Sequence, residues 1–135
     1  MKYAYPAFFT EEEVAGRGTV TIVEFPDILG CATEADTTTD AIAMAREALA
    51  ECILAMQARG EQLPKPSRIS TLKCEAGFVS LVDLDMQDYI RRTNTRAVKR
   101  MVSLPQWLDE MARDSGLNFS QTVQDAIKER LGIQP

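Results

Sequence analysis

Lys99, Met101 and Ser103 occupy alternate positions of the segment VKRMVSL, so on an extended backbone their side chains share one face. An ammonium, a flexible apolar group and a hydroxyl make a set suited to base edges in the major groove of DNA. Ser120 opens QTVQDAIKERL; with Gln121, the amides of that first turn and Arg100, it suits the anchoring of DNA phosphates. A second chemistry would need carboxylates. Glu24, Asp27, Asp83 and Asp85 are the candidates for a Mg-dependent nuclease cluster, and Asp83 and Asp85 share a strand face. Alternation produces such pairs often, and a metal site also needs a pocket and converging ligands, so no metal, cofactor or catalytic residue is assigned. The chain contains no histidine. Ser-His-Asp and Cys-His nucleophiles, imidazole bases and His-metal sites are therefore all excluded.

These residues sit in a chain of 135 residues, 45% hydrophobic, with a net charge of −5. That length supports one core plus a small appended module. Residues 1–90 hold 15 acids against 7 bases, and residues 91–135 hold 5 acids against 8 bases. An acidic body suits a basic protein partner, and a basic tail suits nucleic acid. Arg91, Arg92, Arg96 and Arg100 enter this reading only through their summed field. The absence of a long apolar run and of a secretory-signal layout gives the expectation of a soluble, cytoplasmic protein with no membrane partner. Cys31, Cys52 and Cys74 are widely spaced and odd in number, so they read as buried free thiols rather than a disulfide or zinc set.

The elements that must position these groups follow from periodicity. KYAYPAFF places Tyr3, Tyr5, Ala7 and Phe9 on one face, with Pro6 suggesting an edge strand. EEEVAGRG reads as an acidic turn into the β-branched run TVTIVEF, which makes a hairpin, and CATEA reads as a third short strand. Thr37 and Asp40 then open a helix ending at Gly60, with Ile42, Ala45, Leu49, Cys52, Ile53 and Met56 as its stripe. After the EQLPKPSRIS loop, FVSLVDLD is a strand and MQDYIRR a short helix. The fold class is α+β, a β-β-β-α-β domain over residues 1–93 followed by a β-α-α module over residues 94–135.

The last forty residues are too few for a private core. Pro105 ends the VKRMVSL strand and opens QWLDEMARDS as its first helical residue; Gly116 stops that helix, and Ser120 is the expected N-cap of the next. A lone strand leaves its backbone unpaired, and the shortest remedy is the same strand from a second chain. The result is a homodimeric ribbon with four helices beneath it, a known architecture for reading DNA. In it Val98, Val102 and Leu104 pack inward, and Trp107, Val123 and Ile127 complete the shared core.

The pattern VSLPQWLDEMARDSGLNFSQTVQDAI resembles a ribbon-helix-helix domain. YPAFF, TVTIVEFPDILGCATEADTTTDAIAMAREAL and the LPKPS loop are similar to the HicB antitoxin domain. The resemblance covers nearly the whole chain. It implies a partial ribonuclease-H-like first domain that is not itself an enzyme, and a HicA-type toxin, small, basic and RNA-cleaving, as that domain's partner. It further implies that the dimeric module binds operator DNA to repress the operon encoding the pair, with assembly into tetramers open. The family often has an amide or a long polar side chain where this strand has Met101. No toxin-contacting residue is assigned. The competing readings are the carboxylate nuclease and a stand-alone repressor whose first domain senses a small ligand, although no phosphate loop or aromatic cage favours the latter.

Overall fold

A thirteen-residue strand, β1 (Lys2–Val14), organises the first part of the chain. It pairs antiparallel with β2 (Gly18–Glu24) through a turn in which Gly16 and Gly18 take φ of 83° and 81°, a left-handed conformation that glycine adopts without strain. Glu11, Glu12 and Glu13 belong to β1, paired with Thr21, Val20 and Thr19, rather than to the acidic turn expected there. β3 (Ala32–Ala35) pairs with β2, and β4 (Gly77–Asp85) with the other side of β1, giving the order β3-β2-β1-β4, antiparallel throughout. Pro6 therefore lies in an interior strand, contrary to the edge position read from the sequence. The ladder to β2 covers only Phe8–Val14, so at Pro6 the missing N–H removes no bond to β2.

Helix α1 (Thr38–Ala58) covers one sheet face. The Thr37 hydroxyl accepts from the Asp40 N–H at 3.1 Å and caps the first turn. Ala41, Ala45, Leu49, Ala50 and Ile53 are fully buried and pack with Tyr5, Ala7, Phe9 and Val23 of the sheet. Full burial of Leu49 or Ile53 contributes about 1.5–3 kcal/mol each, so this stripe anchors the layer. Ile42 is an exception to the expected stripe: it is exposed, and Ala41 takes the buried position in that turn. A 3₁₀ turn (Ile69–Thr71) precedes β4, and α2 (Met86–Thr93) follows it, capped by the Asp85 carboxylate, which accepts from the Asp88 N–H.

The computed structural model describes residues 1–133, in two compact units, Met1–Arg96 and a second that begins at Ala97. The second unit contains α3 (Gln106–Asp114) and α4 (Phe119–Leu131). No helix among the described residues is long and apolar enough to cross a membrane.

The three cysteines are free: Cys31 is buried, and Cys52 and Cys74 are half-buried. Burial pushes the Cys31 thiol up, and Cys52 beside it adds to the effect. Cys31 is therefore the thiol expected to react slowest. In a timed alkylation of the native chain followed by peptide mass mapping, Cys52 and Cys74 should label first; early labelling of Cys31 would contradict its placement.

Candidate functional site

Among the described residues, residues 97–104, before α3, have no backbone hydrogen-bond partner. Residues 97–105 form no strand in the single chain, although their sequence alternates as one does. The physical reason is that a strand exists only through its ladder. Lys99, Arg100, Met101 and Ser103 are all exposed, and among the described residues none of their side chains takes part in a hydrogen bond or ion pair. The chemistry expected of them is thus presented to solvent.

Pro105, expected as the first helical residue, is instead the N-cap of α3, with extended backbone at φ −58° and ψ 143°. The amides of Leu108 and Asp109 both close on its carbonyl. Asn118, not Ser120, caps α4: its side chain accepts from the Gln121 N–H at 3.0 Å. Asn and Ser are comparable caps, and Asn118 wins because its backbone leaves the helix just after the Gly116 turn, whose φ is 68°. Ser120 consequently lies inside the first turn, exposed, with its hydroxyl 3.5 Å from the Gln124 amide. The Gln121 side chain donates to Asp125 at 2.9 Å, so a phosphate contact from Gln121 requires that bond to be given up.

The residues assigned to a shared core have no core in one chain. Val98, Val102, Trp107 and Ile127 are exposed, Trp107 to 61%, while Leu104 and Val123 are half-buried. The shared core expected to hold Trp107 requires a second chain, and one chain alone leaves the side chain open. No described residue of this unit is buried. An apolar groove lined by Val123, Ala126, Ile127 and Leu131, with Arg130 at its side, remains open within it, and a mixed one is lined by Val102, Leu104 and Phe119 together with Gln106 and Asp109. With the unit beginning at Ala97, Arg91, Arg92 and Arg96 belong to the first unit, and the second holds five bases and five acids. Arg92 is already engaged, paired with Asp88 and Glu47.

The carboxylates considered for a metal site do not converge. Arg46 donates to Asp83 at 2.8 Å and holds that carboxyl below its usual range, Asp85 caps α2, and Asp27 accepts from the Ser67 N–H at 2.9 Å. Among the described residues no group of three Asp, Glu, His or Cys side chains is placed to hold an ion. The first unit instead offers features the sequence reading did not single out. Leu29, in the loop after β2, is fully exposed, and Phe78 and Leu81 of β4 are about half exposed, with Phe78 stacked on Phe9 at 5.1 Å. The DILG and FVSL segments carry these groups, but edge position and exposure are properties of the assembled sheet.

Residues 5–126 match the family model of the HicB-like antitoxin of bacterial toxin-antitoxin systems. Among solved structures, the chain is similar to a chain of a toxin-antitoxin complex from Streptococcus pneumoniae, with 29% identity, 96% of this chain and 99% of the other covered, and a TM-score of 0.63. It also shares the fold of the Burkholderia pseudomallei antitoxin HicB, at 22% identity over 96% and 98% of the two chains and a TM-score of 0.52. No curated protein gives a significant match.

Proposed function

The chain belongs to the HicB-like antitoxins of bacterial toxin-antitoxin systems, and from that premise we propose that it works through two separate binding units. Met1–Arg96 sequesters a HicA-type RNA-cleaving toxin; the second unit pairs with that of another copy as a ribbon-helix-helix, binds operator DNA in the major groove and represses the operon encoding the pair. The single observation that carries the second half is that the unit beginning at Ala97 buries none of its described residues while its alternating segment lacks a ladder. A second copy supplies both missing parts at once: the Val98–Leu104 strands pair, and Trp107, Val123 and Ile127 gain a partner surface. Lys99, Met101 and Ser103 then face the bases, while Ser120 and Arg100 meet phosphates.

The acidity of the first unit, 15 acids against 10 bases, supports a basic partner, and the Streptococcus pneumoniae likeness supports a protein toxin as that partner. In this reading the sheet with α1 on one face is a partial ribonuclease-H-like scaffold used for binding, and the chain catalyses nothing. Adding the purified chain to the small basic protein encoded beside it should suppress that protein's RNA cleavage at about one equivalent, as tight sequestration requires. Cleavage unchanged at large excess of the chain would overturn the neutralisation half.

A further inference from the structure

Strand β4 forms one edge of the sheet, and its pairing with β1 turns a row of backbone groups away from the ladder. Leu81 stands opposite Pro6, which has no N–H, so this pair exchanges no bonds and the N–H and C=O of Leu81 point outward. Alternation turns Val79 and Asp83 the same way. Three contacts agree with that assignment. The Arg46 guanidinium donates to the Asp83 carbonyl at 3.2 Å, the Ser80 hydroxyl reaches the Leu81 carbonyl at 3.3 Å, and the Gly77 N–H closes a turn on the Cys74 carbonyl at 3.5 Å. Arg46 blunts one end of the edge, while among the described residues the N–H groups of Val79 and Leu81 have no acceptor. The 3₁₀ turn Ile69–Thr71 gives β4 no backbone hydrogen bond. Natural sheets protect such edges, yet here Leu81 is 54% exposed beside an open row of donors.

We propose that this edge, Gly77–Leu81, receives an extended segment of the basic toxin as a fifth strand, an inference that rests on the neutralisation reading above. Charge selects the occupant. The edge belongs to a unit with an excess of five acids, so a second copy of this unit is repelled and a basic segment attracted.

Leu81→Pro tests the edge with little collateral change, because the N–H it removes points outward and the facing residue is itself a proline. With the full chain and the co-encoded toxin in titration calorimetry, Leu81→Pro should weaken binding by about 10- to 100-fold, the cost of leaving a buried acceptor unmatched, and Leu81→Ala, which keeps the N–H, by less. Unchanged toxin affinity in Leu81→Pro overturns the inference. Hydrogen exchange on the wild-type chain decides independently of how that variant folds: the Val79 and Leu81 amides should exchange freely in the chain alone and become protected with toxin. Protection in the chain alone, which a second copy on the edge would give, or no added protection with toxin, overturns it. A wild-type chain that binds no toxin overturns both readings, whereas toxin binding that spares these amides overturns this one alone.

Discussion

Replacing Lys99 and Ser103 together by alanine is expected to lower operator affinity on the order of a thousandfold while leaving toxin neutralisation intact. The proposed dimer would present each side chain twice, so in that reading the double substitution removes four groups from the groove. At about 1 kcal/mol for each, the low end for a base contact, the loss approaches 4 kcal/mol, which corresponds to that factor. Neither side chain holds the fold: both are exposed and take part in no hydrogen bond or ion pair among the described residues. Fluorescence anisotropy on the DNA upstream of the operon, at several salt concentrations, reads the effect. If Lys99 meets a base, the salt dependence of the variant keeps the wild-type slope; if it meets phosphate, the slope falls by about one per lysine lost. Met101→Ala, which removes only a flexible apolar contact, should cost less than either. Operator affinity within threefold of wild type in the double variant would remove the DNA-reading role from this segment, and simultaneous loss of toxin neutralisation would refute the separation into two units.

What was legible in the sequence was whatever a single chain settles by periodicity and local caps. Alternation placed Tyr5, Ala7 and Phe9 in the core, and the Thr37 cap and the Ala45–Leu49–Ile53 stripe located α1. The misses have separate physical causes. Pro6 argued for an edge strand, but strand lengths were unknown; β1 outruns β2, so an interior strand tolerates a proline beyond its second ladder. Ile42 looked like part of the stripe because it sits one position from Ala41, and only the angle at which α1 crosses the sheet decides which of the two is buried. Ser120 and Asn118 were equally good caps by residue type, and backbone direction after Gly116 chose between them. The exposure of Trp107 is of a different kind. A short α-helical pair with apolar stripes and no core of its own cannot state in one chain what will cover it. The open edge at Leu81 was illegible for a topological reason: FVSLVDLD reads as a strand in any position, and only the order β3-β2-β1-β4 puts it at the rim.

The largest effect on stability is expected from Leu49→Ala. Leu49 is fully buried at the centre of the layer between α1 and the sheet, among Ala45, Ile53 and Phe9, where small alanines leave little slack for side chains to close a void. Truncation there costs about 2–5 kcal/mol, and for a unit of this size each kcal/mol lowers the midpoint by about 4–8 °C, so a fall of roughly 10–30 °C is expected in circular dichroism melts. Ile42→Ala, in the same helix but on its exposed face, should stay within about 0.5 kcal/mol of wild type. The contrast tests the burial assignment directly, because sequence periodicity alone would rank both as core; equal shifts would contradict the placement of α1. The same variant also separates the two units. Since Leu49 lies in Met1–Arg96, operator binding by the second unit should survive at temperatures where toxin neutralisation fails. Toxin should in turn raise the melting point of Leu49→Ala, because a ligand that binds only the folded unit stabilises it by mass action. An operator affinity that falls in step with the first unit's melting would mean that the two units fold as one.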